Sequence, residues 1–271
     1  MQTETTIRLI SFLMIFITVA LWELRAPRRP LTTSKKSRWI SNLAIIFINP
    51  LLVRLVFPIA ATGMALKAGQ HGWGLLNNID LPYGLDLVIG IAILDLVIYL
   101  QHVMFHAVPI LWRLHMMHHA DLDYDLTTGL RFHPVEILLS MIIKLAAVAA
   151  LGPPVVAVLI FEILLNGMAM FNHGNIKIPL AIDRWLIYFV VTPDMHRVHH
   201  SVIIRETNSN YGFNLSCWDR LFGTYLAQPA KGHDDMTIGL SQFRVPKKLT
   251  LPRLLALPFI GDPGRYPINR H

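Results

Sequence analysis

The sequence predicts an all-α integral membrane protein with about four transmembrane helices and a histidine-rich helical cap on the cytoplasmic side. Hydrophobic residues make up 54% of the 271 residues and charged ones only 15%, whereas a soluble domain carries about 25% charge. The apolar residues form runs long enough to cross a bilayer. Ten of the thirteen histidines lie between positions 102 and 200. No linker, repeat or low-complexity stretch interrupts the chain, so residues 1–271 are predicted to form a single integral-membrane domain.

Three apolar runs precede most of the histidines. The first, 7–22, is predicted to be an uncleaved anchor, because no small-residue cleavage site follows it. The second, 39–66, is predicted to be a span kinked by Pro50 and Pro58, and the third, 83–100, to return across the bilayer. The loop after the first run is expected to be cytoplasmic because it concentrates positive charge. Its six cations are Arg25, Arg28, Arg29, Lys35, Lys36 and Arg38.

Two further apolar runs, 135–151 and 155–170, are separated by a Gly-Pro-Pro sequence at 152–154 and predict an out-and-back helical hairpin. Segment 182–191 is too short to cross and is expected at the membrane interface. Segment 249–259 is predicted to be an amphipathic surface helix. This topology, built without reference to the histidines, brings all ten of them to one membrane face.

The histidines fall into motifs with helical spacing. The first is an i, i+4 pair, and two later motifs have the spacing i, i+3, i+4, so the members of each motif share a helix face and could hold one ion or two neighbouring ions. A single histidine is more often an ordinary polar residue than a ligand, but three such motifs on one face predict a metal site. The candidate ligands are His102, His106, His115, His118, His119, His173, His196, His199 and His200.

Four other histidines are interpreted differently. His133 precedes Pro134 at a predicted helix start, so it could be a further metal ligand or a cap of that helix. His71, His233 and His271 are expected to lie outside the site.

The residues alone do not identify the metal. Nitrogen ligands suit zinc, copper, iron and nickel, and nine imidazoles exceed the four that one tetrahedral zinc needs. Two ions are therefore predicted: two irons could activate O₂, whereas two zincs would make a hydrolase. Carboxylates could orient the imidazole rings, although each one singly is more typical of a helix cap or a solvated loop. The candidates are Asp121, Asp123, Asp125, Glu136, Asp194 and Asp219.

Several function classes are disfavoured. The chain has no HExxH zinc-protease motif and no phosphate-binding or dinucleotide-binding glycine motif, so a two-electron oxidation would need an external electron donor. Its single cysteine excludes an internal disulfide framework. The net charge is +7, and the basic residues flank the apolar runs, where they could bind anionic lipid headgroups. No nucleic-acid module is present.

The segments "HVMFH", "HMMHH" and "HRVHH" resemble the three histidine boxes of the fatty acid hydroxylase superfamily, and the blocks around them resemble its bacterial sterol-desaturase-like branch over about residues 85–230. The resemblance implies a multi-pass protein, in the bacterial inner membrane with its site on the cytoplasmic side. It implies two iron ions, O₂ as co-substrate and electrons from an electron-transfer protein or reductase. The implied reaction is oxidation of a C–H bond of a sterol, a fatty-acyl chain or another lipid taken from the bilayer.

The same resemblance implies that the eight histidines of the three boxes bind metal and that His173 is an additional ligand. Hydroxylation, desaturation and ether cleavage all occur among such proteins. Two alternatives stay open: a di-zinc membrane hydrolase of lipid esters or phosphates, and a non-catalytic metal-binding or transport protein. The transport alternative calls for polar residues along several spans, and few are present. They are Arg54, Asp86, Asp95 and Glu162.

Overall fold

A computed structural model describes residues 2–268 of the chain, and in this range the secondary structure is helical, without a β-strand. The residue His271, expected outside the site, lies beyond the described range. The helices are α1 (Gln2–Arg25), α2 (Lys35–Val56), α3 (Ala61–His71), α4 (Tyr83–Ala107), α5 (Pro109–His119), α6 (Pro134–Leu151), α7 (Val155–Asn172), α8 (Leu180–Leu186), α9 (Pro193–His199), α10 (Ile204–Thr207), α11 (Cys217–Leu221), α12 (Gly232–Asp235) and α13 (Leu251–Ile260).

Five helical segments within residues 2–268 are long and apolar enough to cross a membrane, which identifies a multi-pass membrane protein. They are Thr3–Arg25, Lys35–Asn78, Tyr83–Ala107, Pro134–Leu151 and Val155–Asn172. The predicted all-α membrane architecture is confirmed, with one candidate span more than the expected four or so. Large apolar side chains such as Phe47 and Leu55 point outwards, 77% and 72% exposed, as lipid-facing residues do.

The predicted kink in the second apolar run is found at one of its two prolines. Helix α2 continues through Pro50 and ends at Val56. The break follows from Pro58, because the residue before a proline is pushed out of the helical region, and Phe57 has φ −106° and ψ 115°. Helix α3 then packs against α6 and α7.

The helical hairpin is confirmed, and helix α7 is the centre of the bundle. Helix α6 is capped at its C-terminus by Gly152, whose φ of +66° is the left-handed conformation that closes many helices. Gly74 lies against this turn so closely that a Cβ there would be 2.3 Å from the Gly152 amide nitrogen. Helices α1, α3 and α4 all pack on α7, around a core that includes Leu94, Val158 and Phe161.

The short helices and loops that carry most of the histidines form a cap at one end of the bundle. Helix α13 covers this cap by burying Leu254 and Leu257 against Trp112 of α5, while Phe259 stays exposed, so the predicted amphipathic surface helix is confirmed. The segment expected at the interface overlaps α8, whose Trp185 is 73% exposed, and an exposed aromatic residue is typical of that location.

Candidate metal centre

Nine buried histidines form two neighbouring groups, and within each group the candidate ligand atoms lie within 4.8 Å of one another. The structure thus brings together all nine of the main predicted ligands. The first group is His102, His106, His115, His119 and His199, and the second is His118, His173, His196 and His200.

Each HxxHH motif is divided between the two groups in the same way. The i, i+4 members stay together, as His115 and His119 do in the first group, while the i+3 member, His118, joins the second. In the later motif, His196 and His200 are in the second group and His199 in the first. The single face predicted for each motif is thus found only for its i, i+4 pair, because side chains at i+3 and i+4 diverge by about 100° around the helix axis.

The first group joins the end of α4 to α5 and α9. The ring of His199 lies 4.6 Å from the ring of His102, 4.7 Å from that of His106 and 4.6 Å from that of His119, measured between centroids. The Nε2 atoms of His106, His119 and His199 are buried and have no hydrogen-bond partner in residues 2–268. Three buried nitrogen atoms without partners are costly unless something binds them.

The second group surrounds His173, which directly follows α7. Its Nε2 lies 3.1 Å from Nε2 of His118, 3.1 Å from Nε2 of His200 and 3.2 Å from Nε2 of His196. Two nitrogens that each lie about 2.1 Å from one ion, at right angles to each other, are about 3 Å apart. The spacing therefore fits nitrogen ligands of a single ion, and each of the two groups could hold one.

Hydrogen bonds at Nδ1 set the direction of the ligating lone pairs. Nδ1 of His102 donates to the carbonyl of Tyr211 (2.8 Å), Nδ1 of His199 to that of Ser209 (2.7 Å), and Nδ1 of His173 to the carbonyl one turn earlier in α7 (2.7 Å). Because a carbonyl can only accept, Nδ1 carries the proton in each ring, and Nε2 keeps its lone pair for a metal.

Burial also keeps the imidazoles neutral. It lowers the pKa of His118, His119, His196, His199 and His200 well below the usual value, and that of His173 to about 3. A neutral imidazole has a free lone pair and an imidazolium does not, so at neutral pH these rings could bind a metal without first losing a proton.

Only one of the six candidate carboxylates orients a histidine of the two groups within the described residues. Nδ1 of His115 donates to Oε1 of Glu136 at 2.7 Å, and both side chains are buried. The other five are also largely buried, and they accept hydrogen bonds from arginines, hydroxyls or backbone amides. They therefore neither orient a histidine ring nor lie in a solvated loop. They are Asp121, Asp123, Asp125, Asp194 and Asp219.

Replacing Glu136 with glutamine is expected to lower metal affinity by about 10- to 100-fold, the usual cost of losing a ligand-orienting carboxylate. The amide can still accept from His115 but lacks the negative charge that makes the imidazole a stronger donor to the metal. The measurement is metal retention during dialysis against graded chelator. Unchanged retention in this variant would contradict the role of Glu136.

His133, the further candidate ligand, belongs to neither group. Its Nδ1 accepts from the amide of Val135 (3.2 Å) and caps α6, while its Nε2 donates to the carbonyl of Leu255 (3.1 Å). Of the two roles considered for His133, the structure contains the helix cap. His233 also lies outside both groups, 3.8 Å from Asp194, and exposed His71 bonds to the carbonyl of Lys67.

At Gly129 the cap lies directly against the end of α7. A Cβ at this position would lie 2.1 Å from the carbonyl oxygen of Ala169 and 2.9 Å from Nδ1 of His173, the two atoms that share the orienting hydrogen bond. The sequence offered no signal for this contact, since Gly129 lies between Thr128 and Leu130 in a short segment without a recognisable motif.

Replacing Gly129 with alanine is expected to push the loop and α7 apart and to turn His173 away from its group. We expect the second ion to be lost and the metal-free protein to lose about 1–3 kcal/mol of stability, as overpacked sites do. Metal counting and denaturant titration in detergent measure these effects. Alanine at exposed Gly84, whose Cβ would meet nothing within 4 Å, is a control for both measurements.

The sequence analysis did not predict a buried ionic network close to the histidines. Arg38 donates through Nε to Asp121 (2.6 Å) and through Nη1 to Asp125 (2.7 Å). Burial opposes ionisation of Asp121, but Arg38 and Arg131 lower its pKa well below the usual range. Arg38 is one of the six cations of the predicted cytoplasmic loop. In the structure its hydrogen bonds connect α2 to the loop that follows α5.

Three more of those cations bind inside the protein. Arg28 pairs with Asp194 (3.2 Å), Arg29 donates to the carbonyl of Met236 (2.8 Å), and Lys35 lies 3.6 Å from Glu23. Since Asp194 is two residues from a histidine of the second group, the basic loop and the histidines share one end of the molecule, as predicted.

A cavity of about 580 Å³ lies between α1, α2, α4, α6 and α7. Next to it lies a small pocket walled by His102, His115, His118 and His196. The same side chains line both spaces: Ile98, Gln101, Phe132, Glu136 and Phe213. An apolar ligand inside the bundle would therefore have one end beside the two histidine groups.

Known proteins with related sequences are lipid-modifying enzymes. The chain is 30% identical over 187 residues to ornithine lipid hydroxylase from Rhizobium tropici, a match that covers 67% of this chain and 54% of that protein. It is 31% identical over 176 residues to alkylglycerol monooxygenase from Xenopus tropicalis (64% and 38%), and 30% identical over 173 residues to the human protein of that name (61% and 36%).

The chain thus spans about half, or less, of the length of these relatives. No solved structure gives a significant match. The profile of the family described as fatty acid hydroxylase matches residues 87–224, half of the chain, including every histidine of the two groups. By this match, and by the three histidine boxes within it, the chain belongs to the fatty acid hydroxylase family.

Proposed function

We propose that this protein is a membrane-bound, O₂-dependent lipid oxidoreductase whose nine grouped histidines hold two iron ions. The observation that carries the proposal is the position of two adjacent all-histidine groups at a small pocket that shares its walls with a larger cavity within a membrane bundle. Iron bound there would supply the activation of O₂ for attack on a C–H bond. The names of the relatives, a hydroxylase and monooxygenases, favour insertion of oxygen over desaturation.

The protein's own residues would do the remaining work. The cavity admits hydrocarbon from the bilayer, and Phe132 and Phe213 flank its end at the histidines, where they would hold one carbon beside the metals. Buried surroundings exclude water from this point, which protects a reactive oxidant from side reactions. Glu136 holds the ring of His115 in place.

Electrons would come from a separate reductase or electron-transfer protein, since the sequence has no nucleotide-binding motif of its own. We place the histidine cap on the cytoplasmic side of a bacterial inner membrane, because the basic loop that marks that side binds directly to the cap.

The proposal is tested by counting metals in the purified protein and supplying membrane lipids, a chemical reductant and ¹⁸O₂. We expect two irons per chain and one lipid product that carries the label. Two zincs, together with release of lipid fragments in the absence of O₂, would support a di-zinc hydrolase instead. Iron-loaded protein that consumes no O₂ with any lipid fraction would also contradict the proposal.

A further inference from the structure

The end of the cavity away from the histidines is charged. Arg8 of α1, Lys144 of α6 and Glu162 of α7 line that end, although all three lie within candidate membrane spans. The middle of the cavity is lined mainly by apolar side chains such as Ile15 and Met141. Ionisable groups inside a membrane domain are costly, and those that face a cavity commonly mark a ligand path.

The charged end lies well inside the bundle. Glu136, Ser140 and Lys144 all line the cavity and follow one another at four-residue steps along one face of α6. At 1.5 Å per residue, Lys144 is about 12 Å further along the helix axis than Glu136, which contacts His115. A ligand that filled the cavity would therefore touch the charges and the histidine end at the same time.

The three charged side chains bind one another, and some N–H groups of Arg8 and Lys144 remain without a partner among them. Oε2 of Glu162 accepts from Nη2 of Arg8 (2.6 Å), and Oε1 accepts from Nζ of Lys144 (2.8 Å), so both carboxylate oxygens are engaged. Arg8 uses Nε and Nη2 on Glu4, and within residues 2–268 its Nη1 has no partner. The ammonium of Lys144 donates one of its three protons.

The cavity wall thus carries two cations, Arg8 and Lys144, and one anion, Glu162, while the second anion of the cluster, Glu4, binds Arg8 and is not among the residues that line the cavity. Arg8 is the most accessible of the three, with 28% of its side chain exposed, against 13% for Lys144 and 9% for Glu162. Guanidinium and ammonium donors bind carboxylates and phosphates more strongly than uncharged acceptors.

We propose that this cavity binds an amphiphile by its anionic group, a carboxylate or a phosphate, at Arg8 and Lys144, with its hydrocarbon chain directed towards the histidines. This inference about the substrate rests on the proposed function. If that function holds, the oxidised carbon belongs to the hydrocarbon chain of the amphiphile, about 12 Å from its anionic group. The specificity of the enzyme would then be set by a cation pair remote from the metals.

The test is binding of dodecanoate, dodecyl phosphate and dodecanol to the metal-loaded protein in an uncharged detergent, measured by calorimetry without reductant. We expect at least one of the two anions to bind about tenfold or more tightly than dodecanol, and the stronger anion identifies the headgroup chemistry. In Lys144→Gln this preference should disappear, while the affinity for dodecanol stays the same and Lys144→Arg retains the preference.

Lys67→Gln removes the same charge from exposed α3, outside the cavity, and should leave all three affinities unchanged. Thermal unfolding and metal content of each variant show whether it is folded. Equal affinity of wild-type protein for anions and dodecanol, or an anion preference that survives in folded Lys144→Gln, would overturn the inference. Neither result depends on O₂ or turnover, so failure here leaves the proposed oxidation untouched, and failure of oxidation leaves the binding result standing.

Discussion

Replacing His173 with alanine is expected to release the ion of the second histidine group and to abolish lipid oxidation. His173 is the point on which that group converges, because three other Nε2 atoms lie 3.1–3.2 Å from its own. Loss of a group that only orients a ligand costs up to about 100-fold, so loss of this ligand should lower turnover by more than that. The measurements are metal content per chain and the rate of product formation.

The matched control is alanine at His133, the tenth histidine of the region, which caps α6 and belongs to neither group. This variant should lose about 0.5–2 kcal/mol of stability, as lost helix caps do, and keep both ions. Two ions in the His173 variant would exclude His173 as a ligand. Loss of one ion in the His133 variant would show that His133 ligates a metal after all.

Replacing Arg38 with methionine is expected to destabilise the metal-free protein by about 3–5 kcal/mol, the cost of leaving buried charge without its partner. Arg38 is 7% exposed. It donates to Asp121, Asp125 and Thr128, which all lie in the segment that follows α5. Because that loop directly follows His119, we also expect weaker retention of metal. Denaturant titration in detergent and metal counting measure the two effects.

Exposed Arg25 provides the comparison, since methionine there should change stability by less than about 0.5 kcal/mol. Adding Asp125→Asn to the Arg38 variant removes one of the stranded charges and should restore part of the lost stability. Equal stability of the Arg38 and Arg25 variants would mean that the ionic network contributes nothing to folding.

The helices were predictable because their signals are local. Apolar runs long enough to cross a bilayer, prolines at breaks and the Gly-Pro-Pro turn act within a few residues, so most elements were found within several positions of their true ends. The break in the second run shows the limit of this reasoning. Pro50 and Pro58 carry the same local signal, yet only the region of Pro58 leaves the helix, because helix packing can accommodate a proline in a membrane helix.

The charged residues were the least predictable part of the chain. Arg38 in the basic loop and Asp121 beyond α5 are separated by 83 residues, and neither carries a mark of its partner. Local composition suggested a cytoplasmic loop and a solvated turn, whereas both side chains are buried against each other. A long-range ion pair is decided by the docking of two helices, and a single sequence contains no direct signal for it.

The sequence by itself identified the nine histidines that the structure brings together and, through its family motifs, the family of the protein. It could do so because i, i+4 neighbours on a helix meet whatever the rest of the chain does. Only the tertiary structure decided how nine imidazoles divide into groups of five and four. The division requires α9 and the end of α7 to dock on α4 and α5, which places His199 in one group and His173 at the centre of the other, and no local spacing encodes that contact.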